Sequence, residues 1–115
     1  MAVPMEPELR EKYCYVLSLW DVTDYITWED TALRWIYREF TGYTAELVGK
    51  LMYEHVYNGG DIYQIEETRS NWLEWRFHYD LYVPICGRET YIETRFLEEQ
   101  CRDDCTINVV NVHDP

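Results

Sequence analysis

Arg76, His78 and Asp80 stand two residues apart in one stretch of the chain, and Tyr91, Glu93 and Arg95 repeat that spacing further along. In an extended strand successive side chains point to opposite sides, so each trio projects from a single face. If a hairpin sets the trios against each other, arginines, a histidine and carboxylates meet on one surface. His113, near the end of the sequence, is a further candidate for the same group. Such a cluster could cleave RNA without a metal. A general base takes the 2′-hydroxyl proton, an acid protonates the leaving oxygen, and an arginine stabilises charge on the phosphoryl oxygens. His78 or Glu93 would be base and acid, and Arg76 or Arg95 the phosphate clamp. The candidate catalytic set is therefore Arg76, His78, Glu93, Arg95 and His113. A plainer explanation stands beside it: opposite charges across a hairpin stabilise a solvated sheet by a fraction of a kcal/mol each and need no chemistry to be kept.

Other residue patterns carry less. Cys101 and Cys105 form a C-x3-C segment, but a closed zinc site wants four ligands and no second pair is in view, so a plain turn is expected. Asp103-Asp104 lacks the further oxygen ligands that calcium needs. His55 falls on the apolar side of a helical pattern, where a histidine usually packs and hydrogen-bonds. Glycine-rich phosphate loops, G-x-S-x-G elbows and H-E-x-x-H motifs are all missing. No cofactor or metal is expected. The 11 Tyr and 5 Trp could offer stacking platforms to bases, but core packing of Trp35, Trp75, Phe77 and Tyr79 is the simpler use.

The elements that must position these residues follow from hydrophobic periodicity. Residues 1–7, with Pro4 and Pro7, read as a flexible lead-in. Leu9, Tyr13, Val16, Leu17 and Trp20 then keep helical spacing, although 13–20 is continuous enough for a buried strand as well. Thr27 with Asp30 resembles a capping box ahead of a helix carrying Leu33, Ile36, Tyr37 and Phe40, stopped at Gly42. Thr44 caps a further helix with Leu47, Val48, Leu51, Met52 and Val56, and Asn58-Gly59-Gly60 ends it. Beyond the paired glycines the rhythm changes to two residues. Strands are expected at 62–68, 74–83, 90–97 and 106–113, with a hairpin turn at 84–88 and a charged turn at 98–104. The expected fold is one α+β domain over 1–115: two or three N-terminal helices, then a four-stranded antiparallel sheet with one face under the helices and the other partly wet.

Charge narrows the partners. Twenty-two acidic residues against 10 basic ones leave a net charge of −12, which repels phosphate backbones and attracts cationic surfaces. A protein partner with a basic surface is favoured over RNA, and self-association through a strand edge or aromatic patch is a third possibility. The first residues show no secretion signal and no stretch suits a membrane span, so a cytoplasmic protein with reduced cysteines is expected.

The run Thr31-Ala32-Leu33-Arg34, the helix ending Tyr53-Glu54-His55-Val56-Tyr57-Asn58-Gly59-Gly60, and Ile62-Tyr63-Gln64 resemble small bacterial proteins related to the RelE and BrnT toxins. The segments 75–80, 91–93 and 106–113 fit the same layout, and the likeness spans roughly 28–113. The resemblance implies helices ahead of a curved antiparallel sheet whose open face cuts RNA. This chain departs from it in charge: those toxins are usually basic, with several lysines and arginines on the active face. Here only Arg76 and Arg95, with Arg69 and Arg88, are candidates, and Lys12 and Lys50 are the only lysines. The resemblance therefore extends to a degenerate relative that keeps the scaffold without cleavage.

Overall fold

The computed structural model describes residues 2–70, 76–97 and 105–115. Helix α1 runs over Pro7–Leu17, α2 over Asp30–Glu39 and α3 over Ala45–Tyr57; strands are β1 (Val3–Pro4), β2 (Ile26–Trp28), β3 (Tyr63–Glu66), β4 (Phe77–Ile85), β5 (Arg88–Leu97) and β6 (Thr106–His113). The expected α+β class holds. The expected sheet of four antiparallel strands does not: six strands lie in the order β1-β3-β4-β5-β6-β2, and the sheet is mixed because β2 runs parallel to β6. The antiparallel meander from β3 to β6 sits at its centre. The two additional strands are two and three residues long, too short to show a two-residue alternation. One falls in the lead-in, where Val3 and Pro4 pair with Gln64 and Tyr63 and buried Met5 donates its N–H to the Ile62 carbonyl.

Helix starts follow local chemistry in one case and not in another. The Thr44 hydroxyl accepts from the Leu47 N–H at 3.1 Å, a side-chain cap whose loss costs about 1 kcal/mol. Thr27, expected to cap α2, lies instead in β2, and Glu29 occupies the cap position without a side-chain bond to the helix N-terminus. The far end of α3 is closed from outside. Arg10 of α1 donates to the Val56 carbonyl in the last turn and to the Gly60 carbonyl just beyond it, at 2.8 and 2.7 Å. The hairpin turn is made by Cys86 and Gly87, with φ of 54° and 70°, the paired left-handed conformations of a two-residue loop.

All three helices cover one side of the sheet. Their buried residues Tyr13, Val16, Leu17, Ile36, Val48 and Met52 meet Leu81, Val83, Ile92, Ile107 and Val109 in one core. Two hydroxyls buried on this side bond to each other. The Thr94 hydroxyl donates to the Tyr79 carbonyl at 2.8 Å, so its oxygen accepts from the Tyr13 hydroxyl at 2.7 Å. Burial pushes the Tyr13 phenol well above its ordinary range.

A β-bulge sets which way β6 faces. Glu93 pairs with Asn111 but Thr94 pairs with Val109, so Val110 is the extra residue. Ile107, Val109 and Val112 consequently all join the core, while Asn108, Asn111 and His113 share the opposite face. Strict alternation would have placed His113 on the helix side with Ile107 and Val109. No helix among the described residues is long and apolar enough to cross a membrane.

Candidate functional site

The second face of the sheet carries polar residues of both trios, and the hairpin register, which alternation left open, sets them against each other. Asp80 lies opposite Glu93, Tyr82 opposite Tyr91, and Tyr91 opposite His113. This face is wet only in part: Arg76 and His113 are exposed at its margins, and its centre is closed to water. Asp80 and Glu93 are each 3% exposed and Arg95 is 1% exposed. Glu67 and Arg69, just past β3, fold their side chains onto Glu93 and Arg95 of β5, while His78 and Tyr91 close over Asp80.

Glu67 and Arg69 build an ion network with Glu93 and Arg95. Arg95 Nη2 donates to Glu67 Oε1 at 2.6 Å and stands 3.8 Å from Glu93 Oε2. Arg69 bridges both carboxylates, reaching Glu67 through Nε and Nη2 at 3.0 and 2.9 Å and Glu93 through Nη1 at 3.3 Å and through Nη2. Asn111 Nδ2 donates to Glu93 Oε1 at 3.1 Å, and the Thr68 N–H donates to Glu67 Oε2. Burial alone would raise the carboxyl pKa of Glu67, but the bonds from Arg69 and Arg95 outweigh it and hold the group at about 2. Glu93 follows the same logic: burial raises it, Arg69 and Asn111 pull it down, and the net shift is downward. Arg69 is raised in turn by its two carboxylates. Two guanidinium groups face two carboxylates, so the network as a whole is neutral.

Beside it lies a second, smaller constellation. His78, with a side chain 12% exposed, holds Nδ1 2.8 Å from Asp80 Oδ1. Because a carboxylate only accepts, Nδ1 carries the proton, and Nε2 is the nitrogen available for exchange. The Tyr91 hydroxyl donates to Asp80 Oδ2 at 2.8 Å. Burial, then the negative charge of Asp80, keeps that phenol neutral far above its usual range. The His113 ring stacks on Tyr91 at 4.6 Å between centroids, exposed to solvent, with its Nδ1–H donating to the Asp114 carbonyl at 2.7 Å.

Of the five residues expected to form the site, Glu93 and Arg95 sit in the buried network, while His78 and His113 flank Tyr91 through Asp80 and through stacking. Arg76 stands at the margin just before β4, exposed, with its guanidinium over the Phe77 ring at 5.0 Å. Arg88 is directed elsewhere, to Glu39 and Asp114, and lies over the Trp35 and Phe40 rings. Glu67 was not in the expected set, and its only sequence signal was its place next to a strand end. His55 is half-buried against Gly60, whose missing Cβ leaves room for the imidazole; burial lowers its pKa against an opposing pull from Asp61. Cys105 is buried in the core. Glu74, Trp75, Cys101, Asp103, Asp104 and the 98–104 turn lie outside the described residues, and among the described residues no cluster of three or more histidine, cysteine or carboxylate side chains could hold a metal ion.

The His78–Asp80 pair presents an oriented imidazole, but the network arginines Arg69 and Arg95 already have anionic partners. Searches against protein-family models, curated proteins and solved structures each found no match to this chain.

Proposed function

We propose that this chain is a binding module for a basic protein surface, built on a RelE/BrnT-like scaffold that does not cleave RNA. One observation carries the reading. The arginine at the centre of the would-be active face is 1% exposed and held by a carboxylate at 2.6 Å. A phosphate clamp needs donors that charge developing in the transition state can reach. Freeing Arg95 for that purpose would leave two buried carboxylates, Glu67 and Glu93, sharing Arg69 as their one cation in the network, at a cost of several kcal/mol. What remains outward is acidic, in keeping with the net charge of −12.

Titration of the purified protein with oligoarginine at increasing salt tests the reading. Exposed charges are screened beyond about 10 Å at 0.1 M ionic strength, so affinity should fall steeply as salt rises. Absence of binding, or binding indifferent to salt, sinks it.

A second reading is favoured by the His78–Asp80 pair, which has the geometry of an oriented general base. Under it His78 takes the 2′-hydroxyl proton and His113 is the acid. RNA cleavage by the unmodified protein, lost in His78→Ala, would establish that reading and displace the first.

A further inference from the structure

The two edges of the sheet are finished differently. The β1 edge ends in Pro4, which has no N–H to offer a further strand. The β2 edge has no such device. In its parallel pairing with β6, the Tyr25 carbonyl accepts from Ile107 and the Glu29 N–H donates to Val109. Alternation along the strand then turns the backbone groups of Ile26 and Trp28 outward. No described strand pairs with that edge.

A groove of about 430 Å³ opens beside it, between β2, the loop after α1 and the first turns of α3. Ile26, Trp28 and Trp20 line it, and its rim carries exposed Asp21, Asp24 and Glu46. Gly49 forms part of its floor; a Cβ there would press on Trp20 and Ile26 at 3.3 and 3.4 Å, so the glycine lets α3 approach closely. Aromatic walls with a carboxylate rim suit a side chain with an apolar stem and a cationic head. The chain's own Lys50 shows the preference, its ammonium lying 5.9 Å from the Trp20 ring centroid.

Resting on the docking reading above, we infer that the β2 edge and this groove receive an extended basic segment of the partner, which adds as a strand while its lysine or arginine side chains enter between Trp20, Trp28 and the three carboxylates. Main-chain bonds to Ile26 and Trp28 would supply affinity and the groove would select the cation. A second copy of this chain fits less well, because it brings the same acidic rim to the same edge.

The probe is a fluorescent peptide of alternating arginine and threonine, with a counterpart N-methylated on the amides that would face β2. Binding is measured to the full chain, to Asp21→Asn/Asp24→Asn/Glu46→Gln, and to a control of equal charge change, Glu8→Gln/Glu11→Gln/Glu89→Gln, whose sites are exposed elsewhere. Asparagine at position 24 tolerates the left-handed backbone found there, φ 75°. The groove variant and the N-methylated peptide should each bind about tenfold more weakly, while the control stays close to the unmodified chain. Amide exchange at Ile26 and Trp28 should slow on binding. If the peptide binds the groove variant as well as the control, the groove assignment falls and the docking reading stands. If neither peptide binds, both fall. Dimerisation with protection at Ile26 and Trp28 assigns the edge to a second copy and overturns the basic-segment assignment.

Discussion

The two faces of the central sheet are both buried, but by different physics. On the helix side Leu81, Val83, Ile92 and Ile107 exclude water through apolar contact, which is non-directional and tolerates gradual change. On the other side Glu67, Glu93 and Arg95 are nearly as inaccessible, yet each depends on a specific partner. Charge removed from water is held only by matched opposite charge and complete hydrogen bonding. The apolar face should therefore degrade in steps, and the ionic face should fail as a unit.

Breaking the ionic face should give the largest effect. Arg95→Ala should cost about 3–5 kcal/mol in urea unfolding, because two buried carboxylates lose a cation. The double variant Arg95→Met/Glu67→Gln should recover much of that loss. Additive losses would show that the two residues act independently and would erase the contrast.

Acid titration sharpens the comparison next. The Glu67 carboxyl sits at about 2 in the folded protein against an ordinary 4.5. A depressed folded value means stability that is present above the ordinary value and lost as pH falls through the folded one. Unfolding free energy should thus decline between pH 4.5 and about 2, and the decline should flatten in Glu67→Gln. At the other extreme Tyr13 and Tyr91 are raised above 10, so the folded state should weaken as pH climbs past that value. Tyr91→Phe and Tyr13→Phe, followed by near-ultraviolet absorbance, separate the contribution of each face.

Smaller changes probe each face locally. Tyr13→Phe removes the donor to Thr94 from the apolar core and should cost about 1–2 kcal/mol by thermal or chemical unfolding. Cys86→Gly should be neutral or stabilise by less than about 1 kcal/mol, since glycine takes the φ of 54° without penalty. A large loss there would mean that the Cys86 Sγ contact with the Tyr43 hydroxyl, at 2.9 Å, outweighs the turn geometry.

Much of the frame was legible because it rests on local periodicity. The α3 cap at Thr44, the break at Gly59-Gly60, the alternation of Tyr79, Leu81 and Val83 and the extent of β6 all follow from neighbouring residues. Expectations failed where a long-range partner decides. Thr27 reads as a cap in isolation, but pairing with Asn108 draws it into β2. Val110 gives no sign of being a bulge until β5 sets the register. The site was legible as a set of residue types on one face. Its accessibility was not, because the side chains of Glu67 and Arg69 arrive from another strand end.

The sequence by itself determined that helices precede a two-residue rhythm, that His78 and Asp80 share one side of their strand and Glu93 and Arg95 one side of theirs, and that the molecule is strongly acidic. Only the tertiary structure decided that those charges neutralise one another out of water, and that the β2 edge, unpaired by any described strand, lies beside a tryptophan-lined groove. Alternation along a strand is dictated by backbone geometry within a few residues. Burial and pairing depend on groups far apart in the chain, and their energies exist only once the fold has brought them within a few ångströms.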